Sequence, residues 1–274
     1  MISNYCISQD VIYFDSIWHI TQKQNAKYYR IIKPLDKDLY LVRDYYKNDT
    51  LQMDGKFIDL KDQTKEGEFT WYYPNGKKEI QRNFSKGKLK GQYKKWYLNG
   101  QLELTGYYKN NQRDSAWIWW YDNANKLCTG KYKDNKQTDY WLYFYVNGQK
   151  KREYRYLKGN KNGYIAEWDS TGVLKGKIDL CDGKWSGNFE FHYPNGQLML
   201  KGKMLNKKPA GLCQLYNENG SKKAFGNIKD NYFTGTWYNY KTNGELDERI
   251  DYNNKNRRKL NHYYMGDLNK LYGK

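Results

Sequence analysis

"WYYPNGKKE", residues 71–79, runs three aromatic residues into Pro74, then Asn75-Gly76, then two lysines. Asn-Gly between apolar runs is a strong signal for a two-residue hairpin turn, because both residues tolerate positive φ. In the same slot the dipeptide returns at 99–100, 147–148, 195–196, 219–220 and 243–244, and among these every gap is a multiple of 24. The two empty slots hold Asn123-Ala124 and Thr171-Gly172, degenerate copies at the expected places. Eight repeats therefore begin at 67, 91, 115, 139, 163, 187, 211 and 235. A fixed period of this length marks a repeat architecture.

A ninth repeat lies upstream. "NDTLQMDG" (48–55) aligns with "NGQLELTG" (99–106), so nine hairpin repeats are expected over residues 40–258, with three extra residues before Gly67. Residues 1–39 fall outside the pattern and read as an N-terminal leader or cap. They hold "TQKQ" (21–24), which fits a helix-start capping box, and strand-like "YYRII". Residues 259–274 resemble a broken tenth repeat and read as a C-terminal cap.

Composition supports order built on rings. Aromatic residues make up 18% of the chain, 30 of them Tyr, and Lys plus Arg exceed Asp plus Glu by 18 (48 − 30). Mean hydropathy is only −1.12. Disordered chains share that low value but are poor in aromatics. No apolar run is long enough for a membrane-spanning helix. The start, "MISNYCISQD", lacks basic and apolar signal regions, so the chain as written is expected to be cytoplasmic, or exported if Met1 is not the native start.

Positions within a repeat are counted from zero at its opening residue, a glycine except at Ser115 and Asp139. A two-residue turn at positions 8 and 9 makes cross-strand partners sum to 17. Position 2 (Phe69, Tyr93, Trp117, Trp141, Phe189, Trp237) then faces position 15, which is glycine at 106, 130, 202 and 226. A ring over a cross-strand glycine covers backbone and pins register. A lone hairpin is marginal, so the repeats must stack. The expected fold is all-β: an elongated, single-layer antiparallel sheet of eighteen strands from nine repeats, on the order of 85 Å long at ~4.8 Å per strand.

Two surface features follow. Position 5 carries Tyr72, Trp96, Trp120, Phe144, Trp168, His192, Tyr216 and Tyr240, on the face opposite position 2, with mostly charged neighbours expected at position 12. Such a row suits a partner strand or loop, since rings anchor interfaces; it also suits packing along the sheet with no partner. The second feature is charge. Over eight repeats, positions 18–23 hold 16 Lys/Arg and 4 Asp, against 6 Lys/Arg and 4 Asp/Glu at positions 6–11. The basic edge includes Lys86, Lys88, Lys90, Arg113, Lys136, Lys161, Lys207, Lys208, Arg257 and Arg258. It fits an acidic protein, anionic lipid or nucleic acid, or serves only to keep the sheet soluble.

Chemistry is sparse. His19, His192 and His262 are scattered, and neither a metal motif nor a phosphate-cradling loop is present, so no catalytic residue, metal or cofactor is expected. Cys181 and Cys213 would lie about three strands, roughly 14 Å, apart, too far for a disulfide. With Cys6 and Cys128 they read as free thiols.

"GQYKKWYLNGQLELTGYYKNNQRD" (91–114) and "HYPNGQLMLKG" (192–202) resemble the MORN-repeat variant of YwqK-type antitoxin proteins over about residues 40–258. The upstream "YFDSIWHI" and "LYLVRDYY" are similar to the leader of bacterial members. The repeats at 115 and 163 depart most, so the sheet is expected to bend or be irregular there. The resemblance implies a non-enzymatic repeat that binds a protein, in some cases a toxin. A peripheral scaffold on anionic lipid is the alternative. Nucleic acid is disfavoured because the basic turns and the ring row occupy different places.

Overall fold

The computed structural model describes residues 11–157, 159–253 and 255–260. It is all-β, and the described residues form twenty strands and one three-residue 3-10 helix (Lys23–Asn25). The chain forms two compact units, residues 1–136 and 137–274. Each is a single-layer antiparallel meander of hairpins whose strands pair in chain order. In the first, β1 (Val11–Phe14) and β2 (Tyr28–Asp36) come from the leader, and β3 (Leu39–Tyr46), β4 (Leu51–Asp59), β5 (Thr64–Tyr72) and β6 (Lys78–Ser85) open the repeats. The remaining fourteen strands repeat the last pair, ending with Leu246–Tyr252.

The leader's capping box does not start an α-helix. Gln22 is the N-cap of the 3-10 turn and makes no side-chain cap bond. No apolar 3.6-residue period follows it to give a helix a face to bury. The expected strand at 28–32 is present within β2. The proposed C-terminal cap lies mostly outside the described residues; of it, Lys259 bridges Tyr232 and Leu260 is buried.

Positions 0 to 4 keep the expected register, as in Gly67↔Phe84, Phe69↔Arg82 and Trp71↔Ile80. Position 5 then slips: Tyr72 pairs with Lys78, and Glu79 is bulged out. The cause is the turn. Gly76 N–H bonds Tyr73 O at 2.8 Å and Tyr73 N–H bonds Lys77 O at 2.8 Å. Gly76 has φ +80, whereas Asn75 stays out of the left-handed region. This is a type I turn with Pro74 at its second residue, closed by a left-handed glycine, and not a two-residue turn. The same bonds recur in the departing repeats, where Ala124 N–H reaches Tyr121 O at 3.1 Å and Gly172 N–H reaches Asp169 O at 3.1 Å. The turn geometry is therefore retained at the two repeats where irregularity was expected.

Two-residue turns occur at the other edge. Lys86-Gly87, Asn110-Asn111, Asp134-Asn135, Asp182-Gly183, Asn206-Lys207 and Asp230-Asn231 all have positive φ at both residues, the type I′ signature. The opening residue of each repeat is also left-handed, including Ser115 (φ 61) and Asp139 (φ 58), and forms a bulge.

One face of each unit holds the core. Position-2 side chains are almost fully buried, with Phe69 and Cys213 at 0% exposure and Trp237 at 1%. The glycines of position 15 make room for them, with a correction to the expected partner. Gly106 pairs with Tyr93 of its own repeat, yet a methyl there would lie 2.2 Å from the ring of Trp117, in the next repeat. Gly55 meets Phe69 at 2.2 Å and Gly226 meets Trp237 at 2.5 Å in the same way. The bulge at the opening residue carries the following ring over the glycine. The contact therefore joins repeats.

Further bonds join repeats along the Asn-Gly edge. The hydroxyl of Tyr73 donates to Trp96 O (2.7 Å), Tyr97 to Trp120 O (2.7 Å), Tyr145 to Trp168 O (2.9 Å) and Tyr193 to Tyr216 O (2.8 Å). Each such bond contributes about 0.5–1.5 kcal/mol net. This ladder gives position 6 its tyrosine.

Candidate functional site

The position-5 side chains emerge at the last residue of their strands, on the face opposite the core, as alternation along an extended strand requires. Contacts place them there: the Tyr216 hydroxyl donates to Gln214 Oε1 at 2.8 Å, and Phe225 stacks on Tyr240 at 6.0 Å. All eight are half-buried. The first unit brings together Tyr72, Trp96 and Trp120; the second holds Phe144, Trp168, His192, Tyr216 and Tyr240.

Because of the bulge, their cross-strand neighbour is position 11 and not the charged position 12. It is lysine at 78, 126, 150 and 222, and leucine at 102, 174, 198 and 246. Lysine side chains then reach onto the ring of the next repeat: Lys78 Nζ lies 5.8 Å from the Trp96 ring, Lys150 4.6 Å from Trp168 and Lys222 5.4 Å from Tyr240. Each cation over a ring contributes about 0.5–1 kcal/mol at such exposed sites. The separation of cations from rings suggested by the sequence is thus incomplete. Burial lowers the pKa of His192, whose Nδ1 has no hydrogen-bond partner.

The ten residues of the basic edge divide in two. Lys86, Lys88, Lys90, Lys136 and Lys207 are exposed. The other five have partners. Arg113 lies 5.0 Å from the Trp117 ring and donates to the Tyr132 hydroxyl at 3.2 Å. Lys161 sits 4.1 Å from the Tyr154 ring, where burial lowers its pKa. Lys208 pairs with Asp230 at 3.0 Å, and Arg257 and Arg258 lie over Tyr232 and Phe233.

Two features escaped the sequence reading. A groove of about 710 Å³ on the polar face of the second unit is lined by Lys177, Lys201, Lys203, Glu190, Gln214 and Leu212. Its signal was the return of lysine at positions 14 and 16, 24 residues apart at Lys177 and Lys201. The core face of the first unit carries cations on rings, with Lys65 5.3 Å from Phe57 and Arg82 between Trp71 (5.5 Å) and Tyr93 (5.4 Å). Arg82 stands at position 15, where four of the other repeats have glycine (106, 130, 202 and 226), a difference visible in the sequence.

Cys213 is a buried free thiol and Cys181 an exposed one, Cys128 is buried, and Cys6 lies outside the described residues. Burial pushes the Cys213 thiol up to about 12. No group of three or more His, Cys, Asp or Glu among the described residues could hold a metal ion. No helix among them is long and apolar enough to cross a membrane.

Residues 65–86 and 89–110 match the family described as MORN repeat variant. These stretches are two adjacent turns of the 24-residue period. No curated protein matches the chain. Among solved structures, one titled "Crystal structure of GtfA/B complex bound to UDP and GlcNAc" is similar at 14% identity. The match covers 42% of this chain and 22% of that chain, with a TM-score of 0.20. This chain thus spans about a fifth of that one, and a likeness at this level carries no argument about fold or function.

Proposed function

We propose that this protein is a non-enzymatic repeat scaffold that binds a protein partner on its polar face, and that it serves as an antitoxin or immunity factor. The observation that carries the binding reading is the division of rings between faces. Position-2 rings bury the core, so the half-exposed position-5 rings on the other face are not needed to form it. Rings with lysines beside them give large contact area with polar handles, the composition of interface anchors. The matched MORN repeat variant supports a binding scaffold of this kind. The toxin partner rests on the resemblance of the repeat wording. A second reading, docking to anionic lipid, draws on the five exposed lysines of the type I′ edge.

The test is a pull-down from source-cell lysate at low and high salt, comparing wild type with Trp96→Ala/Trp120→Ala/Trp168→Ala, folding being checked by circular dichroism. One protein held at high salt and lost in the folded variant supports the partner reading. Capture of anionic vesicles alone, released by salt and unaffected by the ring substitutions, overturns it in favour of the lipid edge.

A further inference from the structure

Six Asn-Gly pairs on one edge raise a chemical question that binding leaves untouched. Asparagine followed by glycine is prone to spontaneous deamidation. The glycine backbone nitrogen, after losing its proton to solvent base, attacks the asparagine Cγ. The Cγ–Nδ2 bond breaks, ammonia leaves, and a five-membered succinimide remains. Water opens either carbonyl of that ring to give aspartate or isoaspartate, so water is the only co-reactant and nothing is oxidised. Attack requires the side chain to leave its hydrogen bonds and swing toward the glycine nitrogen.

All six turns share two restraints. The glycine N–H is bonded to the carbonyl three residues back, at 2.8 Å for Gly76 and 3.0 Å for Gly244. The asparagine Oδ1 accepts from the N–H two residues on, as in Lys77 to Asn75 (3.1 Å) and Glu245 to Asn243 (3.1 Å). The third restraint differs among them. Asn147 Nδ2 donates to Ser170 O at 2.8 Å and Asn195 Nδ2 to Glu218 O at 2.8 Å, each in the next repeat. Asn99 reaches Asp122 O at 3.1 Å and Asn75 reaches Leu98 O at 3.4 Å. Among the described residues Asn219 makes no such bond; its Oδ1 instead takes a second donor, Ser221 Oγ, at 2.7 Å. The repeat that follows Asn243 lies outside the described residues.

We propose that the Asn-Gly turns with a described following repeat are deamidation sites whose order is set by the bond to that repeat: Asn219 first, with Asn147 and Asn195 last. The order is inverse to the harm done. A carboxylate at 147 or 195 would exchange a donor for an acceptor facing a carbonyl oxygen, losing the bond and adding repulsion. At 219 there is no bond to the next repeat to lose, and a carboxylate keeps the contacts with Ser221. Each event also adds one negative charge, so full conversion takes the Asn-Gly edge from +2 to −4 (2 − 6) while the basic edge is unchanged.

The experiment ages the intact protein in warm, mildly alkaline buffer and follows each asparagine by peptide mass spectrometry, beside a urea-unfolded sample. Expected is several-fold faster conversion of Asn219 than of Asn147 and Asn195 in the folded protein, with the spread collapsing in urea. The same order and spread in urea, or Asn147 and Asn195 converting as fast as Asn219, would overturn the proposal. Asn147→Asp should lower Tm and Asn219→Asp should leave it unchanged; equal effects would also refute the inverse relation.

Discussion

The two units build one register from different side chains. The core face of the first is aromatic and cationic, with Trp117 enclosed by Tyr93 (5.8 Å), Tyr108 (5.1 Å), Tyr132 (5.9 Å) and the Arg113 guanidinium (5.0 Å). That of the second mixes aliphatic and sulfur-bearing side chains with rings: Ile165, Ile178, Leu200, Met204, Cys213 and Ile228 are all under 4% exposed, and so are Trp141, Phe189 and Trp237. Gly226 lies under Trp237 as Gly106 lies under Trp117, but the second unit also has Ile178 at that position, between Ile165 and Phe189. A large ring needs a glycine beneath it, and a smaller side chain leaves room for a branched one. Turn bonds and bulges fix the geometry in both, so core identity is free as long as volume is conserved.

This comparison can be broken by truncation. Trp117→Ala should cost about 3–5 kcal/mol, the range for large buried rings. Cys213→Ala removes one sulfur from the same position of the second unit and should cost far less. Urea denaturation of each variant checks this, and equal losses would mean that the two faces do not differ in how they store stability.

The sulfur face should also respond to alkali. Cys213 is held as the neutral thiol, with a pKa pushed by burial from the ordinary 9.0 to about 12. A group with a raised folded pKa contributes stability that is fully present below the unfolded value and is lost as pH rises toward the folded one. Stability should therefore fall between about pH 9 and 12, and Cys213→Ala should reduce that slope, read as Tm against pH. A smaller effect of opposite sign is expected at Ala124, which takes the left-handed turn position with φ 69. Ala124→Gly should stabilise by about 1 kcal/mol, measurable as a rise in Tm.

Much of the fold was legible. The 24-residue period, strand positions and the split of rings between two faces followed from where glycine and aromatic residues stand. The turn type did not follow from Asn-Gly, which fits both a two-residue turn and the end of a type I turn. Pro74 and Pro194 held the missing signal, since φ near −65° suits the second residue of a type I turn. That slip moved the neighbours of Tyr72 and Trp96 by one residue, replacing Glu79 and Glu103 with Lys78 and Leu102. The partner of Gly106 was not legible either, because pairing names Tyr93 while the bulge at Ser115 brings in Trp117. Of the basic edge, composition gave the charge but not its use. Arg113 turns onto Trp117 and Tyr132, and Lys161 onto Tyr154, rings that come beside them only once the strands pair.

The central claim, that Gly55, Gly106 and Gly226 make room for the ring of the following repeat, is tested most directly by a double-mutant cycle on Gly106, Trp117 and Tyr93. Gly106→Ala should destabilise the wild type by about 1–3 kcal/mol, the cost of overpacking. That cost should vanish in a Trp117→Ala background and persist in a Tyr93→Ala background. Persistence with Trp117→Ala and loss with Tyr93→Ala would return the contact to a single hairpin and contradict the account.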